Sequence, residues 1–217
     1  MRRILSILCM LAVSTAAAAQ GVLGDVLVGK LVKPEVGVFA WYDLTDTATG
    51  KRFFLRQAIV GEEQVKGKQG YWVETEVVPQ VGFPSVYKML VTGPANRAKN
   101  VHKIIVREGQ RPPETLEPDP QADAAEDEGD VQRERLGEAT FKLPQGEIVG
   151  EHFVLKQGDA RTEVWLNDKA RPMGLVRMVS PQGELMLKRF GQDGPDAQSA
   201  LTLAPVDGES PRELRSE

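Results

Sequence analysis

Apolar and polar positions alternate with a period of two along most of the chain, and that alternation predicts β-strands. Val36, Val38, Ala40, Tyr42 and Leu44 share one side of a first strand, with Phe39 and Trp41 on the other. The turn Thr47-Ala48-Thr49-Gly50 leads to a return strand carrying Phe53, Leu55 and Ile59, and Gly61 to Gly70 reads as a polar connection. Tyr71 to Val78 sets Tyr71, Val73, Thr75 and Val77 against Trp72, Glu74 and Glu76, and Val86–Thr92 and Val101–Arg107 follow around the loop Gly93–Asn100. Connections this short favour antiparallel pairing, because a parallel crossover needs a dozen or more residues.

The second half repeats the pattern. Ala139, Phe141 and Leu143 alternate with Glu138, Thr140 and Lys142, Pro144-Gln145-Gly146 turns the chain, and Ile148–Lys156 returns. Arg161 to Arg189 then reads as a β-meander, with Trp165 in its first strand, a Pro172-Met173-Gly174 turn, an apolar second strand Leu175–Val179 and a Pro181-Gln182-Gly183 turn.

Three segments break the alternation. Gly21 to Lys33 places Val22, Leu23, Val26, Leu27 and Leu31 at helical spacing, with Lys30 and Lys33 where a helix dipole favours positive charge and Pro34 as the stop, so a helix packed on the sheet is expected there. Gly24 and Gly29 weaken it by up to about 1 kcal/mol each relative to alanine. Residues 112–130 carry eight acidic residues and no basic one, and read as a flexible acidic insertion, helical toward Val131–Leu136. Beyond Gly191 only Ala200–Leu203 is apolar, and residues 204–217 read as a disordered tail. The expected fold is therefore mainly β (α+β): one domain over residues 20–203, a curved antiparallel sheet or incomplete barrel of nine or ten strands with an N-terminal helix packed on it.

The first 19 residues change the setting. Arg2 and Arg3, an apolar run from Ile4 to Val13 and the small residues Ala17-Ala18-Ala19 have the layout of a secretory signal peptide cut after Ala19. The run is short of the roughly 20 residues that span a bilayer, so a periplasmic protein that does not span the membrane is expected. Cys9 lies inside that run and lacks the preceding small residue of a lipidation site, which leaves the mature chain without disulfides or thiol chemistry. Loss of the two arginines moves the formal charge from −4 to −6, which serves solubility and gives no nucleic-acid footprint.

Candidate chemistry is sparse. His102 and His152 are the only histidines, and a metal or acid–base role would need a partner such as Asp43 or Glu151 beside one of them. The acidic insertion lacks the order of an EF-hand calcium loop. No Gly-x-Ser-x-Gly elbow, phosphate loop or His-Glu-x-x-His helix occurs, so no cofactor is implied and no enzyme is expected, a cofactor-free hydrolase being the remaining catalytic alternative.

What stands out is a surplus of large apolar groups on both faces of the strands: Phe39, Trp41, Phe54, Trp72, Tyr87, Met89 and Trp165. A sheet with one wet face carries mostly polar residues there, so both faces must be covered, by packed core or by a ligand. Those seven are the candidate ligand-binding residues. The stretch Val164-Trp165-Leu166-Asn167-Asp168, through Pro172-Met173-Gly174-Leu175-Val176 to Leu185-Met186-Leu187, resembles exported bacterial proteins related to the outer-membrane lipoprotein-sorting half-barrel superfamily. The resemblance implies a curved antiparallel half-barrel closed by helices over an apolar cavity for acyl chains. It departs from that pattern in that the arginine associated with the carriers' lid has no counterpart, and the acidic insertion stands where covering helices would lie. A non-catalytic carrier for a lipid or an acyl-chain-bearing lipoprotein is the expectation it supports; the alternative is an envelope protein–protein interaction module with a filled core.

Overall fold

A computed structural model describes residues 31–95, 97–118, 132–157 and 160–202, and these form one sheet of eleven antiparallel strands. In chain order they are β1 (Val38–Asp46), β2 (Arg52–Val65), β3 (Lys68–Pro79), β4 (Ser85–Val91), β5 (Val101–Glu108), β6 (Glu114–Leu116), β7 (Gln132–Leu143), β8 (Gly146–Gln157), β9 (Ala160–Leu166), β10 (Leu175–Val179) and β11 (Gly183–Gln192). Across the sheet the order is β6-β5-β4-β3-β2-β1-β11-β10-β9-β8-β7. Two meanders, β1 to β6 and β7 to β11, are thus joined along β1 and β11, with β6 and β7 as the edges.

Turn chemistry sets the pairing. Lys66 and Gly67 both have positive φ, 50° and 78°, the two-residue primed turn whose twist matches that of the flanking strands. This lets β2 and β3 run on through the Gly61–Gly70 stretch expected as a connection, pairing out to Val65 and Lys68. Register slips interrupt several ladders, among them Ile59/Gly61, Arg135/Gly137 and Leu175/Arg177. Such bulges bend a strand and increase its twist. The β7–β11 half curls far enough for Gln145 in the β7–β8 turn to donate to the carbonyl of Phe190 on β11, at 3.2 Å.

The architecture is all-β, which corrects the expected α+β class. Among the described residues there is no α-helix, only short 3-10 turns such as Ala98–Asn100 and Pro195–Ala197. Leu31 to Lys33, the end of the expected helix, are irregular: Lys33 has φ 45°, and the Val32 N–H donates outward to the Pro172 carbonyl at 2.8 Å. Pro34 accounts for this, because a proline disfavours the α region in the residue before it. Residues 21–30 lie outside the described residues. A second correction concerns the helical reading toward Leu136: Gln132–Leu136 belong to β7, an edge strand protected by its own charges. Of the acidic insertion, Glu114–Leu116 forms β6, while residues 119–131 lie outside the described residues, as do the signal-like residues 1–19 and the expected tail 204–217.

Two apolar clusters hold the sheet. The larger contains Tyr42, Leu44, Leu55, Val77, Phe141, Phe153, Trp165, Val176 and Leu185. The smaller, on the opposite side of β1 and β2, contains Phe39, Trp41, Ala58 and Val78, with Phe54 and Ala197 against it.

Candidate binding site

Cross-strand partners share a face, so the ladders order the inner side of β1–β6 into rows. One row runs Ala40, Gln57, Thr75, Tyr87, Val106, and the next runs Val73, Met89, Ile104, Leu116. Near the centre of the sheet these side chains are buried. Toward the β6 edge they open: Tyr87, Met89, Ile104 and Val106 are half-buried, and Leu116 is 46% exposed. The result is a contiguous apolar face without a covering layer among the described residues. Leu31 and Met173 close its deep end over Gln57, Val73 and Met89, leaving a space of only about 10 Å³. That space is far below the several hundred cubic ångströms of a ligand pocket.

Beneath this face lie three buried polar atoms with no hydrogen-bond partner among the described residues: the Tyr42 hydroxyl, Gln57 Oε1 and Thr75 Oγ1. Gln57 and Thr75 are direct register partners, and Tyr42 belongs to the adjoining row through Leu55. Burial pushes the Tyr42 phenol far above its ordinary range, and burial, with the charge of Glu108 second, raises that of Tyr87. Both phenols thus stay protonated at neutral pH.

The seven candidate residues fall in four places. Phe39, Trp41 and Phe54 gather on the outer side of β1 and β2, in the smaller cluster. Tyr87 and Met89 lie on the inner face just described. Trp72 is on the outer side of β3, its Nε1–H donating to Glu63 at 3.2 Å. Trp165 meets Phe141 edge-on at 6.1 Å between ring centres and stacks on His152 at 4.1 Å.

The outer cluster is covered by a segment to which strand alternation assigned no role. Residues 195–202 cross β1–β3 and are tied down by a buried ionic network. Arg56, 1% exposed, binds the carboxylates of Glu74 and Glu76 and donates to the carbonyls of Asp196 and Gln198 at 2.8 and 3.2 Å. Glu74, fully buried, also accepts from the Ser199 hydroxyl and the Ala200 N–H. Asp196 takes the Trp41 indole N–H at 3.1 Å and an ion pair from Arg189 at 2.8 Å. The sequence signal was the pair Glu74 and Glu76 on one strand face opposite Arg56, two like charges that a sheet buries only with a shared cation.

The histidines divide the parts of an acid–base site between them. His152 Nε2 lies 2.9 Å from Glu163 Oε2, a carboxylate other than the two considered from sequence, and its ring is packed on Trp165. Asp43 pairs with Lys188 and Glu151 with Arg135. His102 Nε2 lies 2.8 Å from the Thr92 hydroxyl. Among the described residues neither imidazole has both a hydroxyl and a carboxylate partner, as a nucleophile–base–orienter arrangement requires. Nor do three or more His, Cys, Asp or Glu side chains gather there to hold a metal ion. A groove of about 300 Å³ beside the β7–β8 turn, between Leu143, Ile148, Asn167, Lys169 and Phe190, brings together no such constellation. No helix among the described residues is long and apolar enough to cross a membrane.

No protein-family model matches the chain, and no curated protein matches it. Among solved structures, the chain is similar to a candidate lipoprotein from Parabacteroides distasonis ATCC 8503, at 11% identity and a TM-score of 0.34, over 75% of this chain and 99% of that one.

Proposed function

We propose that this chain is a non-catalytic, exported interaction module whose inner β3–β6 face takes an apolar segment of another envelope protein. The observation that supports it is the contiguous, partly exposed face of Tyr87, Met89, Ile104, Val106 and Leu116, with only about 10 Å³ of space at its deep end. A small ligand is held by a pocket that buries most of its surface, whereas an open sheet face suits a partner large enough to bring its own cover. Burying apolar area there contributes roughly 25 cal/mol per Å² before the costs of association.

The test uses substitutions at one half-buried site of this face and one exposed site away from it. Ile104→Asp is expected to leave the fold intact and to lose a partner that the wild type retains from envelope extracts. Val149→Asp, at an exposed apolar site of the β8 strand, should retain it. Equal retention by both variants would count against the inner face as the binding surface.

A carrier for an acyl-chain-bearing ligand is the second reading, favoured by the unpartnered polar atoms of Tyr42, Gln57 and Thr75, which a ligand headgroup could satisfy. Native mass spectrometry with lipid extraction separates the two. A stoichiometric lipid on protein taken from the envelope supports the carrier, and ligand-free protein whose melting no added lipid shifts removes it.

A further inference from the structure

The outer face of β3–β5 carries a second grouping that the proposed module does not use. Trp72 pairs across the ladder with Leu90, and Leu90 with Lys103. Lys88 and Arg107 project on the same side from neighbouring positions, around Ile105. Two ammonium groups converge on one indole, Lys88 Nζ at 5.2 Å and Lys103 Nζ at 5.9 Å from the Trp72 ring centre. Cation–π attraction holds each there, yet the two charges repel, and among the described residues none of Lys88, Lys103 or Arg107 pairs with a carboxylate. The Nε–H of Arg107 is buried without a partner among the described residues.

Of the carboxylates near this face, Glu63 lies at its edge and the other two are turned away from the lysines. Glu63 accepts from the Trp72 indole, Glu74 is buried under the C-terminal segment, and Glu76 is turned to Arg56. Exposed Lys66 and Lys68, at the β2–β3 turn, extend the positive charge beyond Trp72. A chain with a formal charge of −4 thus gathers unpaired cations around one half-buried indole.

We propose that this face docks on a bilayer surface containing anionic phospholipid, with Trp72 at the headgroup level and Lys88, Lys103 and Arg107 meeting the phosphates. Indole rings partition to the membrane interface, and basic residues beside them add attraction to anionic lipid. The chemistry favours a bilayer over a nucleic acid. Stacking on bases needs a free ring face, and here ammonium groups lie over the indole, while the overall negative charge opposes a long polyanion but matters little beyond a Debye length of a lipid surface.

The full mature chain would be sedimented with phosphatidylcholine vesicles, with and without phosphatidylglycerol, at low and high salt. Binding is expected only with phosphatidylglycerol and is lost at high salt. Lys88→Gln/Lys103→Gln should weaken it by about five-fold per cation removed, whereas Lys142→Gln/Lys169→Gln, on the other half of the sheet, should not. Each double variant is first shown to unfold at the wild-type midpoint, and Trp72→Ala, which leaves both lysines, should also weaken binding. The proposal is overturned by equal binding to pure phosphatidylcholine, by no binding to either vesicle, or by binding that the control pair lowers and Lys88→Gln/Lys103→Gln does not. Capture of RNA or of an acidic peptide in place of the vesicles would overturn it as well.

Discussion

Replacing Arg56 by Met tests the network that fastens the C-terminal segment. Arg56 and Glu74 are 1% and 0% exposed, and the substitution leaves the Glu74 carboxylate buried with only the Ser199 hydroxyl and Ala200 N–H as donors. It also strips the donor from the Asp196 and Gln198 carbonyls. Removing one partner of a buried pair costs about 3–5 kcal/mol. For a domain of this size, at about 2–4 °C per kcal/mol, the melting temperature should fall by about 6–20 °C. The assay is urea unfolding followed by tryptophan emission and by circular dichroism, which should report one transition. Arg56→Met/Glu74→Met should recover part of the loss, because no unpaired Glu74 charge stays buried, although Glu76 and the Asp196 and Gln198 carbonyls still lack their donor, giving a measurable coupling in the double-mutant cycle. A loss below about 1 kcal/mol for Arg56→Met, or a double variant no better than the sum of the single losses, would refute the reasoning.

Other positions give further tests. In Gly150→Ala the new Cβ would stand 2.9 Å from Trp165 Cβ and 3.2 Å from Phe141 Cε2, so overpacking should cost about 1–3 kcal/mol by urea unfolding. Tyr42→Phe removes a buried hydroxyl without a partner among the described residues and should be neutral or stabilising by about 1 kcal/mol; a clear loss would show that the hydroxyl is satisfied in solution. Asp46 is held below the usual carboxylate range by hydrogen bonds from the Thr49 hydroxyl and N–H, at 2.6 and 2.7 Å. Because its folded pKa lies below the unfolded value of about 3.9, its contribution is full above that value and fades as pH falls through the folded pKa. The stability gap between wild type and Asp46→Ala should therefore shrink on acidification below about pH 4, and a gap constant down to pH of about 2 would contradict the assignment.

The strands were legible because their side chains obey a period of two and their turns carry the residues that turns require. Pro144-Gln145-Gly146 and Pro181-Gln182-Gly183 both join strands at the expected places. The end of the helix was misread because Leu31 continues an apolar spacing that Lys33, held before Pro34, cannot complete as helix. β7 was obscured at its start because an edge strand with both sides wet, Gln132 to Arg135, shows no hydrophobic alternation. The candidate site was legible only by residue type. Phe39, Trp41 and Phe54 do lie together, yet strand parity could not reveal that residues 195–202 return over them, because that contact spans about 140 residues and depends on Arg56. The open face was hidden for the converse reason: Ile104 and Val106 belonged to an expected strand and Leu116 to the flexible acidic insertion, until the ladder placed all three at an edge without a second layer among the described residues.

The central claim, that the inner face near β6 meets another protein, is tested most directly by placing a photo-crosslinking residue at Ile104 and, separately, at Lys99 in the β4–β5 loop, then irradiating intact cells. The account predicts a discrete protein adduct from Ile104 that is absent from Lys99. An adduct with lipid alone, or no adduct from Ile104 in protein that remains folded, would contradict it.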